Sequence, residues 1–301
     1  MALLSTQLLV FLQWINISES FYLGPRLPLA GLVIGGLMFG TGMALVGTCG
    51  FGALVRLGSG NLSSVVVVVL IGLTAFSTQH GLLSELRVRL FEPLTISLPT
   101  QTQSVPALFE LFTGLNVPLL IAFILSTTLL YWIFRESSYR ADKRSIVTGV
   151  TIGLCITAGW AITSTASTVM YRQVQLESAS FVLPPGEVIF SFIAATGSAP
   201  DYGMGMVIGV IFGAGSVAKW KNEVRWEACD DATELGRHVL GALLMGIGGV
   251  LAMGCTIGQG VSAFSTMAVS APLVFICIFA GARMGLKLVV EGHQFWKSEL
   301  R

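Results

Sequence analysis

A glycine-rich apolar stretch that contains one cysteine occurs twice in this chain. The second copy, Gly241 to Gly260, reads GALLMGIGGVLAMGCTIGQG. Shifted back by 206 positions, it matches the first copy at four glycines and at the cysteine. The matched pairs are Gly35 and Gly241, Gly40 and Gly246, Gly42 and Gly248, Cys49 and Cys255, and Gly52 and Gly258. Chance similarity between apolar segments would match the common Leu and Val instead, so the pattern indicates an internal duplication.

The composition places this duplication in a membrane protein. Of 301 residues, 53% are hydrophobic and only 11% are charged, whereas a soluble domain has about 25% charged residues. The net charge of +1 offers no basic surface for nucleic acid. The five cysteines have no C-x-x-C or Cys/His spacing typical of a metal site, so neither a metal nor a cofactor is expected.

The apolar segments predict an all-α polytopic protein with about eight crossings. The first, Leu3 to Trp14, is short, and the others are about long enough to span the hydrocarbon core. The seven others are Leu29 to Thr48, Leu62 to Ser77, Val117 to Phe134, Ile146 to Ile162, Gly203 to Ala218, Arg237 to Gly254 and Val269 to Val290. Cys49 to Leu57 and Val188 to Ala195 are too short to cross, so we expect re-entrant half-helices there.

Charge in the connections predicts the orientation. The segment Arg135 to Arg144 holds four basic residues in a short stretch, so the positive-inside rule places it in the cytoplasm. Eight crossings then place both termini in the cytoplasm, and the two cysteine stretches run in opposite directions. We therefore expect one transmembrane domain, 1–301, with inverted repeat halves 28–134 and 146–290 joined by the cytoplasmic loop 135–145. Inverted repeats with broken helices are typical of transporters.

The residues around each cysteine are the predicted substrate pathway. They are Cys49, Gly50 and Gly52 in the first copy, and Gly254, Cys255, Thr256, Gly258 and Gln259 in the second. Glycines let the backbone unwind before the cysteine, and a half-helix that starts there directs its N–H groups and positive dipole end at a neighbouring anion. A thiol is soft and polarizable, which suits a sulfur or selenium atom better than a hard oxygen.

These same residues resemble the YeeE/YedE family of sulfur-compound transporters. The likeness is carried by GLMFGTGMALVGTCGFG in the first half and GCTIGQG in the second. It implies an inner-membrane, all-helical protein of hourglass shape that takes up thiosulfate, with cysteines passing the ion along by S–H···S contacts. Cys49 and Cys255 match two of the family's pathway cysteines. A third family cysteine precedes the first glycine repeat, whereas Met1 to Leu27 contains no cysteine. The sequence leaves open whether the chain is truncated there or carries a different ion.

Other interpretations of these features remain open. One is a channel for a selenium compound or another small solute, and another is a membrane sulfur-transfer enzyme that uses a cysteine persulfide. No His or carboxylate accompanies either cysteine within its motif, so no catalytic residue is expected. A separate cytoplasmic sulfur-carrier protein is a further candidate partner, beside the anion and the lipid bilayer.

Several conspicuous residues are expected to lie outside the pathway. Gly35, Gly36 and Gly241 are expected to pack helices together, as are Cys155 and Cys277, while Cys229 is expected to face solvent. Glu187 and Asp201 lie near proline or glycine breaks, so interfacial positions are favoured over a proton-linked role.

Overall fold

The computed structural model describes residues 1–97, 100, 102–114, 118–169, 175–194, 200–227 and 231–299 of the protein. Its main elements are helices. The elements follow in the order α1 (Ala2–Phe11), β1 (Arg26–Leu27), α2 (Leu29–Val46), α3 (Gly50–Gly58), α4 (Ser63–His80), α5 (Leu82–Phe91), β2 (Ile96–Ser97), α6 (Val105–Thr113), α7 (Pro118–Arg135), α8 (Ser137–Ala141), α9 (Lys143–Val169), α10 (Pro184–Ile193), α11 (Tyr202–Trp220), α12 (Ala232–Leu251) and α13 (Ser270–Glu299). Two short 3-10 helices, Phe21–Leu23 and Glu92–Leu94, and a π-helix, Gly258–Ala263, complete this order.

Seven helical segments of the described chain are long and apolar enough to cross a membrane. They are Leu29–Gly58, Ser63–His80, Pro118–Arg135, Lys143–Val169, Tyr202–Trp220, Ala232–Leu251 and Ser270–Glu291. Together with the small amount of strand, they confirm the prediction of an all-α polytopic membrane protein.

The first predicted crossing contains a helix shorter than the others. Helix α1 has 10 residues, which rise about 15 Å, against a hydrocarbon core about 30 Å thick. It ends before Gln13, whose φ of +57° lies in the left-handed region. This first of the eight predicted crossings is therefore a short apolar helix followed by a turn.

The described chain forms two compact units, each assembled from segments far apart in sequence. The first unit comprises Met1–Leu27, Ile96–Ala179 and Gly258–Pro272. The second unit comprises Pro28–Thr95, Ser180–Ile257 and Leu273–Arg301. The predicted repeat halves 28–134 and 146–290 follow different boundaries and stay a prediction.

In the first unit, α1 packs against α7 and α9. The Ser5 and Thr157 hydroxyls lie 2.6 Å apart. A Cβ on Gly153 would lie only 2.8 Å from the backbone nitrogen of Ala2, so this glycine lets the two helices approach closely. Leu3, Ala122 and Met267 form a small buried apolar cluster beside them.

In the second unit, α2 and α12 pack against each other through the duplicated glycines. A Cβ on Gly35 would lie 2.7 Å from the carbonyl oxygen of Gly248, and a Cβ on Gly42 would lie 2.5 Å from that of Gly241. As the residue number rises along one helix it falls along the other, so the helices are antiparallel. Gly35 and Gly241 are therefore packing residues, as predicted.

Helices α4 and α13, the next spanning helices after Cys49 and Cys255, occupy equivalent places in the second unit. Gly40 of α2 packs on α13, where its Cβ would lie 2.7 Å from the backbone nitrogen of Ala282. Its counterpart Gly246 of α12 packs on α4, where its Cβ would lie 2.8 Å from the carbonyl oxygen of Ile71. The duplication seen in the sequence is thus repeated in the packing, with the two copies inverted.

Candidate functional site: two cysteine turns in broken helices

The first cysteine stretch breaks a long apolar helical segment in two. Helix α2 ends at Val46, and Gly47 takes a φ of +76° that glycine adopts at no steric cost. The Gly47 N–H donates to the carbonyl of Met43, 2.9 Å away. Cys49 is extended, and α3 begins directly after it. The predicted half-helix that starts at the cysteine is present in this geometry.

The Cys49 thiol caps the N-terminus of α3. Its Sγ accepts a hydrogen bond from the backbone N–H of Gly52 at 3.5 Å, and the side chain is only partly buried. The first N–H groups of a helix and the positive end of its dipole meet at this position. The thiol therefore lies where a negatively charged group would be stabilised.

The two glycines of this turn are close to their surroundings. A Cβ on Gly50 would lie 2.9 Å from the carbonyl oxygen of Phe181, and a Cβ on Gly52 would collide with the hydroxyl of Thr48. Larger side chains at either position would move the turn or its neighbours. Both predicted pathway glycines are thus required by the local packing.

Arg56 brings a positive charge near the same turn. Its guanidinium Nη2 donates to the carbonyl of Gly47 at 3.4 Å, which is the C-terminal end of α2, where cations are favoured. The residue is exposed. It therefore compensates the negative end of α2, two residues before the cysteine at which the next helix begins.

The second cysteine stretch also interrupts a helix. Helix α12 ends at Leu251, after which Met253 has a φ of +57° and Gly254 a φ of +147°. The Gly254 N–H donates to the carbonyl of Gly249 at 2.8 Å. Cys255 follows and is 1% exposed, and residues 256–265 are helical again. A non-glycine residue such as Met253 in the left-handed region is uncommon and indicates a turn held in place by its surroundings.

Thr256 supplies an unsatisfied hydroxyl directly after Cys255. Its Oγ1 is buried and has no hydrogen-bond partner within the described part of the chain. A buried polar group without a partner costs about 1–3 kcal/mol. This hydroxyl is therefore a candidate to bind a polar ligand beside the thiol.

Phe181 and Val182, shortly before α10, lie against the start of α3 and against α12 in the second unit. The ring of Phe181 is 5.0 Å from that of Phe51, at the start of α3. Val182 packs on Gly249, whose Cβ would lie 2.7 Å from the Val182 methyl groups. Sequence reasoning missed this role because the segment 175–183 has no periodicity, and the Pro184-Pro185 pair after it indicates only a break.

Gly258 and Gln259 of the predicted pathway belong to the first unit. Both are buried and lie in the π-helix Gly258–Ala263. The Gln259 Oε1 is 3.5 Å from the hydroxyl of Ser270. The other six predicted residues, Cys49, Gly50, Gly52, Gly254, Cys255 and Thr256, belong to the second unit.

Glu187 is a titratable residue of the second unit that lies outside the seven spanning segments, in the first turn of α10. Burial, and secondarily the negative charge of Asp201, raises the pKa of its carboxyl group from 4.5 to about 7. Asp201 itself caps α11, because its Oδ1 accepts from the backbone N–H of Tyr202 at 2.7 Å.

The remaining cysteines have other surroundings. Cys277 on α13 packs against Gly36, which confirms both as packing residues. Cys155 on α9 is exposed. The prediction that it packs helices of the chain together is therefore wrong. Cys229 lies outside the described residues. Across the described ranges, no group of three or more His, Cys, Asp and Glu side chains could hold a metal ion.

Comparison with known proteins identifies the family. The family described as "Sulphur transport" matches residues 1–284 of the chain. The protein belongs to this family. It is 27% identical over 261 residues to the thiosulfate transporter TsuA of Spirochaeta thermophila, which covers 85% of this chain and 76% of that protein. It is also 27% identical over 254 residues to the thiosulfate transporter TsuA of Escherichia coli, which covers 77% of this chain and 67% of that protein. The sequence-based resemblance to a family of sulfur-compound transporters is therefore confirmed.

Proposed function

We propose that this protein is a permease that takes up thiosulfate, or a closely related small sulfur anion, across the inner membrane. Two relatives are named thiosulfate transporters. The observation that carries the proposal is the Cys49 thiol, held 3.5 Å from the Gly52 N–H at the positive end of α3. That position combines a soft donor for the terminal sulfur of thiosulfate with a helix end that favours an anion.

The proposed mechanism uses the two cysteine turns as stepping points. Each thiol donates a weak S–H···S contact to the terminal sulfur, while backbone N–H groups and the Thr256 hydroxyl bind the oxygens. Weak contacts suit transport, because an ion must be bound well enough to enter and weakly enough to leave. In the second unit, Gly50, Gly52 and Gly254 keep the backbone close to the passing ion. Gly258 and Gln259, in the π-helix of the first unit, are further proposed pathway residues.

The proposal treats the protein as a transporter without catalysis. Two relatives are named transporters, and neither cysteine stretch contains a histidine or a carboxylate that could act as a base towards the thiol. In a sulfur-transfer enzyme one cysteine would become a persulfide. Mass spectrometry of the purified protein after exposure to thiosulfate separates the two, because a transporter keeps the mass of unmodified thiols.

The proposed topology places the basic connection 135–145 and both termini in the cytoplasm. The N-terminus reaches that side if the segment containing α1 completes a crossing. Repeat halves 28–134 and 146–290 then have opposite orientations in one transmembrane domain. On the inner side, a separate sulfur-carrier protein is the proposed acceptor of the imported sulfur.

Growth and uptake test the proposed function. A strain that cannot take up sulfate should grow on thiosulfate as its sulfur source when it expresses this protein, and it should accumulate ³⁵S-labelled thiosulfate. The empty vector is the control for background uptake. A protein that is inserted in the membrane and gives no thiosulfate uptake above that control would contradict the proposal.

A further inference from the structure

The first unit contains a group of polar side chains that are almost fully buried. We call it the polar core. Its members, each at most 1% exposed, are Gln103, Gln259, Ser262, Ser265, Thr266 and Ser270. Five of the six belong to the π-helix Gly258–Ala263 or to the residues that follow it up to the first turn of α13. Ser and Thr hydroxyls often form hydrogen bonds inside membrane proteins, so the members of the polar core that need a further explanation are those without hydrogen-bond partners.

The serine and threonine hydroxyls of the polar core are hydrogen-bonded within the protein. Ser262 donates to the carbonyl of Ala179 at 2.9 Å, and Thr266 donates to that of Ala263 at 2.8 Å. Ser265 donates to the carbonyl of Ser262 at 2.7 Å and accepts from the Trp160 indole N–H at 3.1 Å. These groups are accounted for as structural bonds.

Gln103 is different, because its side-chain amide has no hydrogen-bond partner among the residues that the structure describes. It is 0% exposed, yet within the described residues neither its Nε2 nor its Oε1 forms a hydrogen bond. Its main chain is fully engaged: the N–H donates to Leu23 at 3.2 Å, and the carbonyl accepts from Val269 at 3.0 Å. The backbone therefore fixes the residue in a place where its amide remains unsatisfied.

An apolar side chain would avoid this cost, since a buried amide without partners loses the free energy of its hydrogen bonds to water. Each such group in a native protein calls for an explanation by a bound ligand, a water or a role in function. Gln103 lies on extended backbone that pairs with residues 267–269. Non-helical backbone is tolerated in membrane proteins where it is buried in protein or lines a cavity, and π-helices such as Gly258–Ala263 are frequent at functional sites.

We propose that the Gln103 amide is a binding group for the oxygen atoms of the transported anion. This inference rests on the proposed function and assigns the first unit a role in it. The Nε2 hydrogens are donors for sulfonate-type oxygens, which the soft thiols of the second unit suit poorly. The amide is neutral, so it adds affinity without the strong retention that a lysine or arginine would cause. Gln103 is 0% exposed in this structure, so the proposal requires that the side chain becomes accessible to the anion during the transport cycle.

A matched pair of variants tests this proposal. Gln103→Met keeps the length of the side chain and removes both amide atoms. Gln7→Met is the control, because Gln7 is also a buried glutamine of the first unit, but its Nε2 donates to the carbonyl of Ser265 at 2.9 Å. Two quantities are measured for each: the KM for thiosulfate uptake, and the Tm of the purified protein with and without thiosulfate.

The expected results are opposite for the two variants. Gln103→Met raises the KM about tenfold or more, because hydrogen bonds to a charged group are lost. It also removes most of the rise in Tm that thiosulfate causes, while the Tm without thiosulfate stays the same or increases. Gln7→Met lowers the Tm without thiosulfate and leaves the KM close to that of the wild type.

Unchanged KM and unchanged thiosulfate-dependent Tm in Gln103→Met would overturn the proposal and assign the amide to structure. If that variant does not accumulate, Gln103→Glu replaces it, because it has the same shape and lacks the donors. A normal KM in Gln103→Glu would equally overturn the proposal.

Failure of the proposed function is a separate result, since wild-type protein would then show no thiosulfate uptake at all. In that case, shifts in Tm with sulfate or sulfite, compared between wild type and Gln103→Met, still test the amide as an oxyanion-binding group.

Discussion

At the scale of single residues, Cys49 allows the role of its sulfur to be separated from its role as a helix cap. Serine is a better N-cap than most residues, so Cys49→Ser should keep or strengthen the start of α3 while replacing sulfur by a harder oxygen. We expect membrane abundance and Tm at least equal to wild type, and thiosulfate uptake reduced by far more than the roughly fivefold that one weak contact implies. Uptake of ³⁵S-thiosulfate per amount of inserted protein is the measurement.

The control for this substitution is Cys277→Ser, since Cys277 packs against Gly36 away from either turn. It should transport normally, whereas Cys255→Ser should behave like Cys49→Ser. Normal uptake by both Cys49→Ser and Cys255→Ser would show that the thiols are packing residues and that the relay does not exist.

Glu187 predicts how stability depends on pH. Its pKa in the folded protein is raised to about 7 from 4.5, so folding favours the neutral carboxyl group. This contribution is fully present below pH 4.5 and is lost as the pH rises through about 7. We expect the Tm of wild-type protein to decrease between about pH 5 and pH 8, and that of Glu187→Gln to decrease less. Parallel curves for the two proteins, measured by thermal unfolding in detergent, would contradict the raised pKa.

The residues that sequence reasoning found and those that it missed differ in the kind of signal they leave. Cys49 and Cys255 are detectable because duplication repeats them in a shared glycine context. Gln103 and Phe181 do not lie in a duplicated sequence pattern. The backbone of Gln103 is hydrogen-bonded to Leu23 and Val269, which are distant in sequence. No local pattern could therefore indicate that its amide is buried without a hydrogen-bond partner among the described residues.

At the scale of elements, the interrupted helices were predictable, whereas their details were not. Glycine before each cysteine predicts a break, and Gly47 and Gly254 both have positive φ. The π-helix after Cys255 and the early end of α1 depend on packing that local propensity does not encode. The 30-residue length of α13 likewise exceeds the predicted crossing, because its polar C-terminal turns continue the helix beyond the apolar segment.

Gly254 provides the test of the second turn. A φ of +147° is accessible to glycine and costs other residues about 1–3 kcal/mol, so Gly254→Ala must change the backbone directly before Cys255. We expect a lower Tm and a large loss of thiosulfate uptake. Gly209→Ala on α11 is the matched control, because no atom of the described residues would lie within 4 Å of its Cβ and alanine favours a helix. Equal uptake by the two variants would mean that the turn tolerates an ordinary backbone.

At the scale of the whole molecule, two independent arguments give the same relative directions of helices. Counting along the chain, four spanning segments separate α2 from α12, so the two must cross the membrane in opposite directions. The paired glycines of α2 and α12 are antiparallel in the second unit. The same count makes α13 parallel to α2, in agreement with the successive contacts of Gly36 with Val274 and of Gly285 with Thr41.

Composition and segment counting could therefore predict the relative directions of the spanning helices. The division into two compact units could not be predicted. Each unit combines three segments that are distant in sequence, and their boundaries differ from those of the predicted repeat halves.

The absolute orientation is the last prediction, and labelling of introduced cysteines measures it. Glu136 and Glu223 are exposed residues in the connections after α7 and α11, and the proposed topology places both in the cytoplasm. Leu82 is 93% exposed at the start of α5 and should lie outside, although Arg87 and Arg89 follow it. A membrane-impermeant thiol reagent should therefore label Leu82→Cys in intact cells, and it should label Glu136→Cys and Glu223→Cys only in inverted vesicles. The parent protein, treated in the same way, corrects for labelling of the native cysteines.

Labelling of all three positions from one side would contradict the inverted-repeat topology. Labelling of Leu82→Cys only from the cytoplasm, with the other two reached only from outside, would keep the repeats and reverse the orientation of the whole molecule.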